Sequence, residues 1–357
     1  METKGLLFIP DISGFTRFVT ESEINHSRLI IQELLELLIN ANEIGLEVSE
    51  IEGDAILFYK FGEVPTLEDL FRQVKKMFCE FHENLVVYDQ RKYCQCKACT
   101  SAADLSLKVI THYGEFTEYN VRNFIKLIGK DVIVAHQLLK NDIEQHEYWL
   151  VTRQLLHDQL PEDLAGWMKW DDSVKKTEAG EIHFHYTPLS QLKKGIADTR
   201  LPRIDLSGKK KIYSASREYE TDIITLFHAS GAFECRHRWW EGVKKIEVLN
   251  HFLPRVGMRS KWTLENGETV FYSSSYSYTD TRIEFSETDE KDNWVYYYTL
   301  VYKDAKRTEL TIDVYQTGNW IKQLLNDLSG HQKMHLRIQK SLDNLVPLLQ
   351  EIDNYVF

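Results

Sequence analysis

Two stretches of the chain decide the fold of its first half: residues 7–16, LFIPDISGFT, and residues 51–58, IEGDAILF. In the first, an apolar run ends at Asp11 and a Ser-Gly turn follows, which predicts a buried strand that leads into a polar turn. In the second, alternation on both sides of Gly53 predicts two short strands joined as a hairpin. Each stretch therefore places one aspartate, Asp11 or Asp54, where a strand ends.

The rest of the first half alternates between helical and strand patterns. Apolar residues recur every three or four positions from His26 to Ile44, which is the spacing of an amphipathic helix. The predicted order is strand, helix, hairpin, helix, strand, helix, strand, over residues 6–9, 26–44, 47–52 with 55–61, 67–87, 105–113, 130–139 and 148–151. This order predicts an α+β domain in which helices pack on a sheet.

Asp11 and Asp54 are candidate ligands for a divalent cation. Carboxylates at strand ends can converge on a hard cation such as Mg²⁺ or Mn²⁺ without entering the core. The turn after Asp11 can offer backbone N–H groups to phosphate oxygens just before a helix. Its residues are Ile12, Ser13, Gly14, Phe15 and Thr16. The alternative is that both aspartates are ordinary turn residues, because Asp favours turns.

The same two stretches resemble a known family. LFIPDISGFT is similar to the FADIVGFT-type first motif of class III adenylyl and guanylyl cyclases, and IEGDAILF is similar to their KTIGDAYM-type second motif. Residues 127–138, LIGKDVIVAHQL, resemble the WGxxVNxAxRL-type motif, and the similarity covers nearly all of residues 1–193. A cysteine cluster followed by LSLKVITHYG resembles, more narrowly, the uncharacterised bacterial family DUF2652.

This resemblance implies a ferredoxin-like domain over residues 1–193 that forms a homodimer, with its site at the subunit interface. It implies that Asp11 and Asp54 hold Mg²⁺ or Mn²⁺ ions, which activate the ribose 3′-hydroxyl of a nucleoside triphosphate and clamp its phosphates. Glu50 and Lys126 fall at the positions that read the nucleobase. The alternative for these two residues is a structural ion pair across the sheet.

Two positions depart from the cyclase pattern. Where the family has an Asn that orients the ribose and an Arg that stabilises the pentavalent phosphorane, this chain has Ile133 and Gln137. Neither side chain replaces the lost charge, and the removal of one transition-state donor costs about 2.7 to 4 kcal/mol. The sequence therefore favours a degenerate or atypical cyclase domain over ordinary turnover.

Three of the five cysteines crowd into one short segment, a spacing too tight for an ordinary disulfide framework. They are Cys94, Cys96 and Cys99. Together with His112 on the next strand, or with Cys79 and His82 on the preceding helix, they offer enough soft ligands for a tetrahedral structural zinc site. The alternative is a set of reduced thiols, because CxCxxC is not a usual zinc-binding spacing.

Residues 194–211 carry Pro, Gly and basic residues without periodicity and are predicted to be a linker. Residues 212–357 resemble an SRPBCC or START-like helix-grip domain, because short aromatic and β-branched runs predict an antiparallel meander and residues 324–352 predict a long closing helix. The resemblance implies a cavity for a hydrophobic small molecule. The aromatic residues expected to line it are Tyr276, Tyr278, Trp294, Tyr296 and Tyr298. The alternative is that part of this set belongs to the core.

Composition narrows the classes of partner. The chain has 43% hydrophobic residues, a formal net charge of −11 and no apolar run long enough to span a bilayer. It is therefore predicted to be globular and cytoplasmic, with no signal peptide. The negative charge disfavours nucleic acid as a partner.

Three functions compete. The first is a signalling protein in which a degenerate cyclase-like domain binds metal and nucleotide and is coupled to a ligand-sensing helix-grip domain. The second is an active nucleotidyl cyclase, and the third is a non-catalytic ligand carrier or dimeric scaffold. The first is preferred because the chain keeps Asp11 and Asp54 but lacks the Asn and the Arg. The nucleobase, the cavity ligand and the direction of coupling stay open.

Overall fold

The computed structural model describes residues 4–92, 96–122, 124–177, 180–196, 204–249, 256–265, 267–317 and 328–353. The chain divides into two compact units, which we call unit 1 (residues 1–90 and 94–199) and unit 2 (residues 91–93 and 200–357). Each unit contains a seven-stranded sheet together with helices, so the predicted α+β class is confirmed. Within the described ranges, no helix is long and apolar enough to cross a membrane.

Unit 1 keeps the predicted order of elements and adds several short ones. Its helices are α1 (Phe15–Glu21), α2 (Ile24–Asn40), α3 (Leu67–Arg91), α4 (Lys97–Ser101) and α5 (Lys130–Leu139). Its strands are β1 (Lys4–Ser13), β2 (Glu47–Glu52), β3 (Ala55–Phe61), β4 (Ser106–Glu115), β5 (Thr117–Val121), β6 (Phe124–Ile128), β7 (Tyr148–Thr152), β8 (Asp171–Thr177) and β9 (Gly180–Pro188).

The large sheet of unit 1 has the strand order β2-β3-β1-β4-β7-β9-β8. Strand β1 pairs antiparallel with both β3 and β4. Its apolar run, Leu6 to Ile9, is at most 1% exposed. Because successive side chains of a strand point to opposite faces, this run is buried on both faces of the sheet. The end of β1 that carries Asp11 is thereby fixed between two neighbouring strands.

The predicted boundaries in unit 1 hold best where apolar periodicity is strong. The hairpin of β2 and β3 and the helix α5 have the predicted bounds. Helix α2 ends at Asn40 instead of Ile44, because Asn42 forms a turn: its side chain donates to Leu46 O at 2.7 Å and accepts from Leu46 N at 3.1 Å. Strands β5 and β6 form a separate two-stranded sheet that was not predicted.

Unit 2 contains an antiparallel meander and three described helices. The helices are α6 (Ile223–Gly231), α7 (Phe233–Trp239) and α8 (Leu328–Asp353). The strands are β10 (Lys209–Tyr219), β11 (Val243–Val248), β12 (Arg259–Leu264), β13 (Gly267–Thr279), β14 (Arg282–Asp289), β15 (Val295–Asp304) and β16 (Arg307–Thr317). Their order in the sheet is β10-β16-β15-β14-β13-β12-β11.

The closing helix of unit 2 packs its apolar face on the sheet. Ile338, Leu342 and Leu345 of α8 belong to one buried core with Leu310 and Ile312 of β16. The predicted long helix is confirmed from residue 328 onward, whereas residues 324–327 lie outside the described residues. Strand β10 begins at residue 209, three residues before the predicted start of the second domain.

Candidate metal and nucleotide site

The two aspartates of the sequence motifs converge at the same edge of unit 1. Asp11 lies opposite Ala55, the first residue of β3, and Asp54 comes directly before it. The backbone N–H of Ile12 donates to the carbonyl oxygen of Asp54 at 3.1 Å. A Cβ atom placed on Gly53 would lie 3.6 Å from the ring of Phe15, so the turn after β1 packs against the hairpin tip. The strand pairing therefore brings the two turns together.

Burial and charge make these carboxyl groups poor acids. Asp11 is only 7% exposed. Its burial, and to a lesser extent the negative charge of Asp54, raises the pKa of Asp11 to about 6, although the ammonium of Lys108 acts in the opposite direction. Burial likewise raises the pKa of Asp54, against the lowering effects of a backbone hydrogen bond and of Lys108. The site thus holds two carboxylates that would both be stabilised by added positive charge.

Lys108 is a residue of this site that sequence analysis missed. It lies on β4 directly opposite Asp11, and its Nζ is 3.4 Å from Asp11 Oδ2. The same ammonium donates to the carbonyl oxygen of Leu139 at the end of α5, at 3.3 Å. The only sequence feature that marked it was a lysine inside the otherwise apolar run of residues 107–110. The Lys108 ammonium lowers the pKa of both carboxyl groups, that of buried Asp11 and that of half-buried Asp54.

The turn after Asp11 is built for close approach of the backbone. Gly14 has φ of 89°, a left-handed conformation that side chains rarely adopt, and it precedes α1. Ile12 and Ser13 are buried, whereas Gly14 and Thr16 are exposed and Phe15 is half-buried. The exposed part of the turn therefore lies beside the two carboxylates.

The residues predicted to read the nucleobase are paired with each other. Lys126 of β6 donates to Glu50 of β2. His136 of α5 lies between two carboxylates, with Nε2 3.5 Å from Glu50 Oε1 and Nδ1 3.5 Å from Glu52 Oε2. Glu50 therefore has two cationic or polar partners in this chain, which is the arrangement of a structural ion pair.

Ile133 and Gln137, which replace the Asn and Arg of the cyclase pattern, lie one turn apart on α5. Ile133 is 58% exposed. The side-chain oxygen of Gln137 is buried and has no hydrogen-bond partner among the described residues. A glutamine side chain has an NH2 donor but no positive charge, so it does not replace the charge and the fork of donors that an arginine offers to a developing negative charge.

His112 is not a ligand of the cysteine cluster, which corrects the sequence prediction. It is fully buried on β4, where its Nδ1 lies 2.9 Å from Thr152 Oγ1 and its Nε2 lies 3.1 Å from Asp131 Oδ1. Both ring nitrogens therefore have partners elsewhere, one on strand β7 and one in the first turn of α5. This pair lies beside a cleft of about 250 Å³ whose lining includes Asp131 and Arg153 but neither Asp11 nor Asp54.

The histidine that does lie beside the cysteines is His26 of α2. Its Nδ1 is 3.3 Å from Cys96 Sγ and 3.4 Å from Cys99 Sγ. Cys94, the third predicted ligand, lies outside the described residues. The alternative partner His82 is instead 3.9 Å from Glu147. Seventy residues separate His26 from Cys96, so no local spacing could reveal the pair.

The aromatic residues predicted to line a cavity in unit 2 belong to its core or pack against it. Tyr298 is fully buried, and its ring stacks on Phe285 with centroids 4.4 Å apart. The remaining four are half-buried residues that contact the same core. They are Tyr276, Tyr278, Trp294 and Tyr296. A ligand cavity between them stays a prediction.

The solved structures similar to this chain include nucleotidyl cyclase domains. One is the catalytic core of a rhodopsin-guanylyl cyclase with converted specificity in complex with ATPαS, which is 14% identical, with 52% of this chain and 96% of that chain covered and a TM-score of 0.38. Another is a bacterial light-regulated adenylyl cyclase, which is 17% identical, with 55% and 98% covered and a TM-score of 0.37. The chain is thus similar to a class of cyclase catalytic domains.

The family itself follows from sequence comparison. The model described as protein of unknown function (DUF2652) matches residues 31–148. An uncharacterized protein of Mycobacterium tuberculosis (strain ATCC 25618 / H37Rv), Rv2561/Rv2562, is 30% identical over 184 residues, which are 49% of this chain and 73% of that protein. The chain belongs to the DUF2652 family, as its sequence predicted.

Proposed function

We propose that unit 1 binds the divalent-cation complex of a nucleoside triphosphate through Asp11 and Asp54. The observation that carries this proposal is the convergence of one buried and one half-buried carboxyl group, Asp11 and Asp54, whose pKa values are both raised. A protein that needed only a stable turn would gain from neutral side chains at these positions. Keeping two carboxylates together is favourable when a cation shares them.

The donor set fits a hard cation. Carboxylate oxygens are the ligands that Mg²⁺ and Mn²⁺ prefer, and Mg²⁺ is commonly held by one or two carboxylates together with substrate phosphates. When bound, such an ion supplies positive charge to the phosphates and acidifies a coordinated hydroxyl. Asp11 and Asp54 would hold it, and the Ile12 to Thr16 turn would face the phosphates. The Lys108 ammonium, released from Asp11, would pair with a phosphate oxygen.

The same chain is poorly equipped for cyclase turnover. Ile133 offers no hydrogen bond to a ribose, and Gln137 carries no positive charge for a phosphorane. The loss of one such contact costs about 2.7 to 4 kcal/mol, two to three orders of magnitude in rate. We therefore favour nucleotide binding with a regulatory role over an active nucleotidyl cyclase.

Nucleotide binding to unit 1 would regulate unit 2, or ligand binding to unit 2 would regulate unit 1. Its meander and its long closing helix are the elements of a helix-grip fold, and its aromatic residues are concentrated on β13 and β15. We propose that it accepts a hydrophobic small molecule, and that the protein acts as a homodimer. A co-purifying apolar ligand without any nucleotide affinity would instead favour the carrier or scaffold function.

The test combines binding with turnover. Purified protein is dialysed against each of the four nucleoside triphosphates with Mn²⁺ or Mg²⁺, and cyclic monophosphate is sought by mass spectrometry. Asp54→Ala is the test variant. Glu63→Gln, at an exposed carboxylate beyond the far end of β3, is the matched control.

We expect metal-dependent binding in the wild type and in Glu63→Gln, none in Asp54→Ala, and no cyclic product. A product that disappears in Asp54→Ala would show an active cyclase and overturn the degenerate assignment. Absence of any metal-dependent binding, at protein concentrations high enough to form dimers, would remove the proposed function itself.

A further inference from the structure

We infer that His26, Cys96 and Cys99 form a binding site for a soft divalent metal ion, with Zn²⁺ as the expected occupant. His26 lies in the first turn of α2, Cys96 directly precedes α4, and Cys99 lies within α4. One imidazole nitrogen and two sulfur atoms from distant parts of the chain meet within 4.8 Å of one another. This site is separate from Asp11 and Asp54 and does not depend on nucleotide binding.

The distances match those of metal ligands. Zinc bonds of about 2.3 Å to sulfur and about 2.0 to 2.1 Å to nitrogen, at tetrahedral angles, place the two ligand atoms about 3.6 Å apart. The Nδ1 atom of His26 is 3.3 Å from one sulfur and 3.4 Å from the other. A single ring nitrogen carries at most one proton and cannot donate to both sulfur atoms in good geometry. A shared cation satisfies all three atoms at once.

Other contacts hold the two segments together without using the ligand atoms. The carboxylate of Glu23 accepts hydrogen bonds from the backbone N–H groups of Lys97, at 3.3 Å, and Ala98, at 3.0 Å. Lys97 also pairs with Glu21 at 3.3 Å. These bonds join the start of α2 to the start of α4. The ligand atoms are therefore arranged before a metal arrives, which lowers the cost of binding.

The ligand types select the class of metal. Thiolates and imidazole favour Zn²⁺ over Mg²⁺ or Ca²⁺. The chain offers a contrasting cluster in Glu50, Glu52 and His136, in which two ligands are carboxylates and Glu50 is already paired with Lys126. Because that cluster has one histidine at similar spacing but no sulfur, it is a matched control within the same molecule.

The position of the metal gives it a structural role. Helix α2 follows the turn of Asp11 through α1, and α4 leads into β4, which carries Lys108. A metal bound by His26, Cys96 and Cys99 would therefore brace the two segments that flank the carboxylate site. Among the residues that the structure describes, three offer ligand atoms, and a tetrahedral site takes one further donor.

The test uses the full chain, purified with reductant and without chelators. Metal content is measured by elemental mass spectrometry in the wild type, His26→Ala, Cys96→Ser and the controls His136→Ala and Cys79→Ser. We expect one zinc per chain in the wild type and both controls. We expect a loss of zinc affinity of about 100-fold or more in His26→Ala and Cys96→Ser, because the loss of even an outer partner of a ligand costs about 10- to 100-fold.

A second measurement needs no variant. Metal-free wild-type protein is titrated with Co²⁺, and thiolate-to-cobalt absorption is expected to saturate at one equivalent and to vanish on addition of Zn²⁺. Absence of that absorption, or zinc content in His26→Ala equal to that of the wild type, would overturn the assignment. A Cys96–Cys99 disulfide in protein purified with reductant would overturn it as well.

Discussion

Both units bury charged side chains, but they treat them in opposite ways. In unit 2, Arg236 is fully buried and donates to both oxygens of Glu287, at 2.8 and 3.0 Å, while the Tyr298 hydroxyl lies 3.0 Å from the same guanidinium. In unit 1, the negative charge of Asp54 raises the pKa of Asp11, and the Lys108 ammonium lies 3.4 Å from Asp11 Oδ2. The first arrangement has balanced charges, and the second has an excess of negative charge.

The difference separates a structural network in unit 2 from the site in unit 1 that we propose binds a cation. The Arg236 guanidinium lies 5.2 to 5.8 Å from the ring centroids of Trp239, Trp240 and Trp262, so it is desolvated and held by cation–π contacts as well as by Glu287. The charges of Arg236 and Glu287 balance each other without any ligand. In unit 1, the ionised forms of Asp11 and Asp54 are unfavourable without a bound ligand. Perturbed pKa values of this kind are typical of functional sites.

The largest predicted effect breaks the balanced network. Glu287→Gln removes the countercharge of Arg236 and leaves a buried cation, which should lower the stability of unit 2 by about 3 to 5 kcal/mol. Hydrogen exchange of the β14 and β15 amides in urea, followed by mass spectrometry, measures that loss locally. Glu284→Gln on the same strand weakens the surface pair with Arg282 and should cost about 1 kcal/mol or less. Equal small losses in both variants would show that Arg236 does not depend on Glu287.

The second prediction is that neutralising a buried charge in unit 1 stabilises the fold, whereas in unit 2 it destabilises the fold. The pKa of Asp11 is raised to about 6 in the folded chain, above its ordinary value of 3.8, so ionisation opposes folding at neutral pH. Asp11→Asn should therefore stabilise metal-free unit 1 by about 1 to 3 kcal/mol at about pH 7 to 8. Because the wild-type residue becomes protonated as the pH falls through 6, the gain should shrink and disappear below about pH 4.

Hydrogen exchange of the β1 and β3 amides, measured with chelator at several pH values, checks this prediction. Glu115→Gln, at the exposed end of β4, is a control expected to show no such gain. A loss of stability in Asp11→Asn at neutral pH would mean that Asp11 is held by its pair with Lys108 and that the site already has balanced charges.

The third prediction concerns the affinity for metal. A cation binds the ionised form of Asp11, so the affinity for Mn²⁺ should fall by about tenfold for each pH unit below about 6 and level off above about pH 7. Calorimetric titration over this range measures the slope. An aspartate with an ordinary pKa would give constant affinity between about pH 5 and 7, and that result would contradict the raised pKa.

The smallest predicted effect concerns the pair of Glu50 and Lys126. Lys126→Met should change the stability of unit 1 by less than about 1 kcal/mol, because the Lys126 side chain is 39% exposed and water screens the ion pair. If these residues also read a nucleobase, the same variant should alter the preference between ATP and GTP. Competition binding measures that ratio, and an unchanged ratio would leave only the structural role.

The sequence predicted the elements that have a strong apolar period. Helix α5 and the β2–β3 hairpin have the predicted bounds, and Asp54 lies at the predicted hairpin tip. Strand β1 instead continues past its predicted end at residue 9 to Ser13, so Asp11 lies inside the strand, near its end. Strand β5 was missed because four of its five residues are exposed, so it has no alternation of buried and exposed positions. Hydrophobic periodicity predicts only those helices and strands that have a buried face and an exposed face.

The partners of the site residues were harder to predict than the residues themselves. Lys108 reaches Asp11 because β4 pairs with β1 in one register, and His26 reaches Cys96 because α2 meets α4. Both contacts join segments far apart in the chain. The prediction of His112 as a zinc ligand failed for the same reason, since closeness in sequence was its only support.

The most direct test of the central claim is a titration of Mn²⁺ followed by the paramagnetic resonance signal of the free ion, at about pH 8, where Asp11 is ionised. Wild type, Asp11→Asn, Asp54→Asn and the control Glu63→Gln are compared. We predict that the wild type and Glu63→Gln remove Mn²⁺ from solution, more strongly with nucleoside triphosphate present, and that neither aspartate variant does so. Equal uptake of Mn²⁺ by the wild type and both aspartate variants, or no uptake by any of them, would contradict the assignment of Asp11 and Asp54 as a cation site.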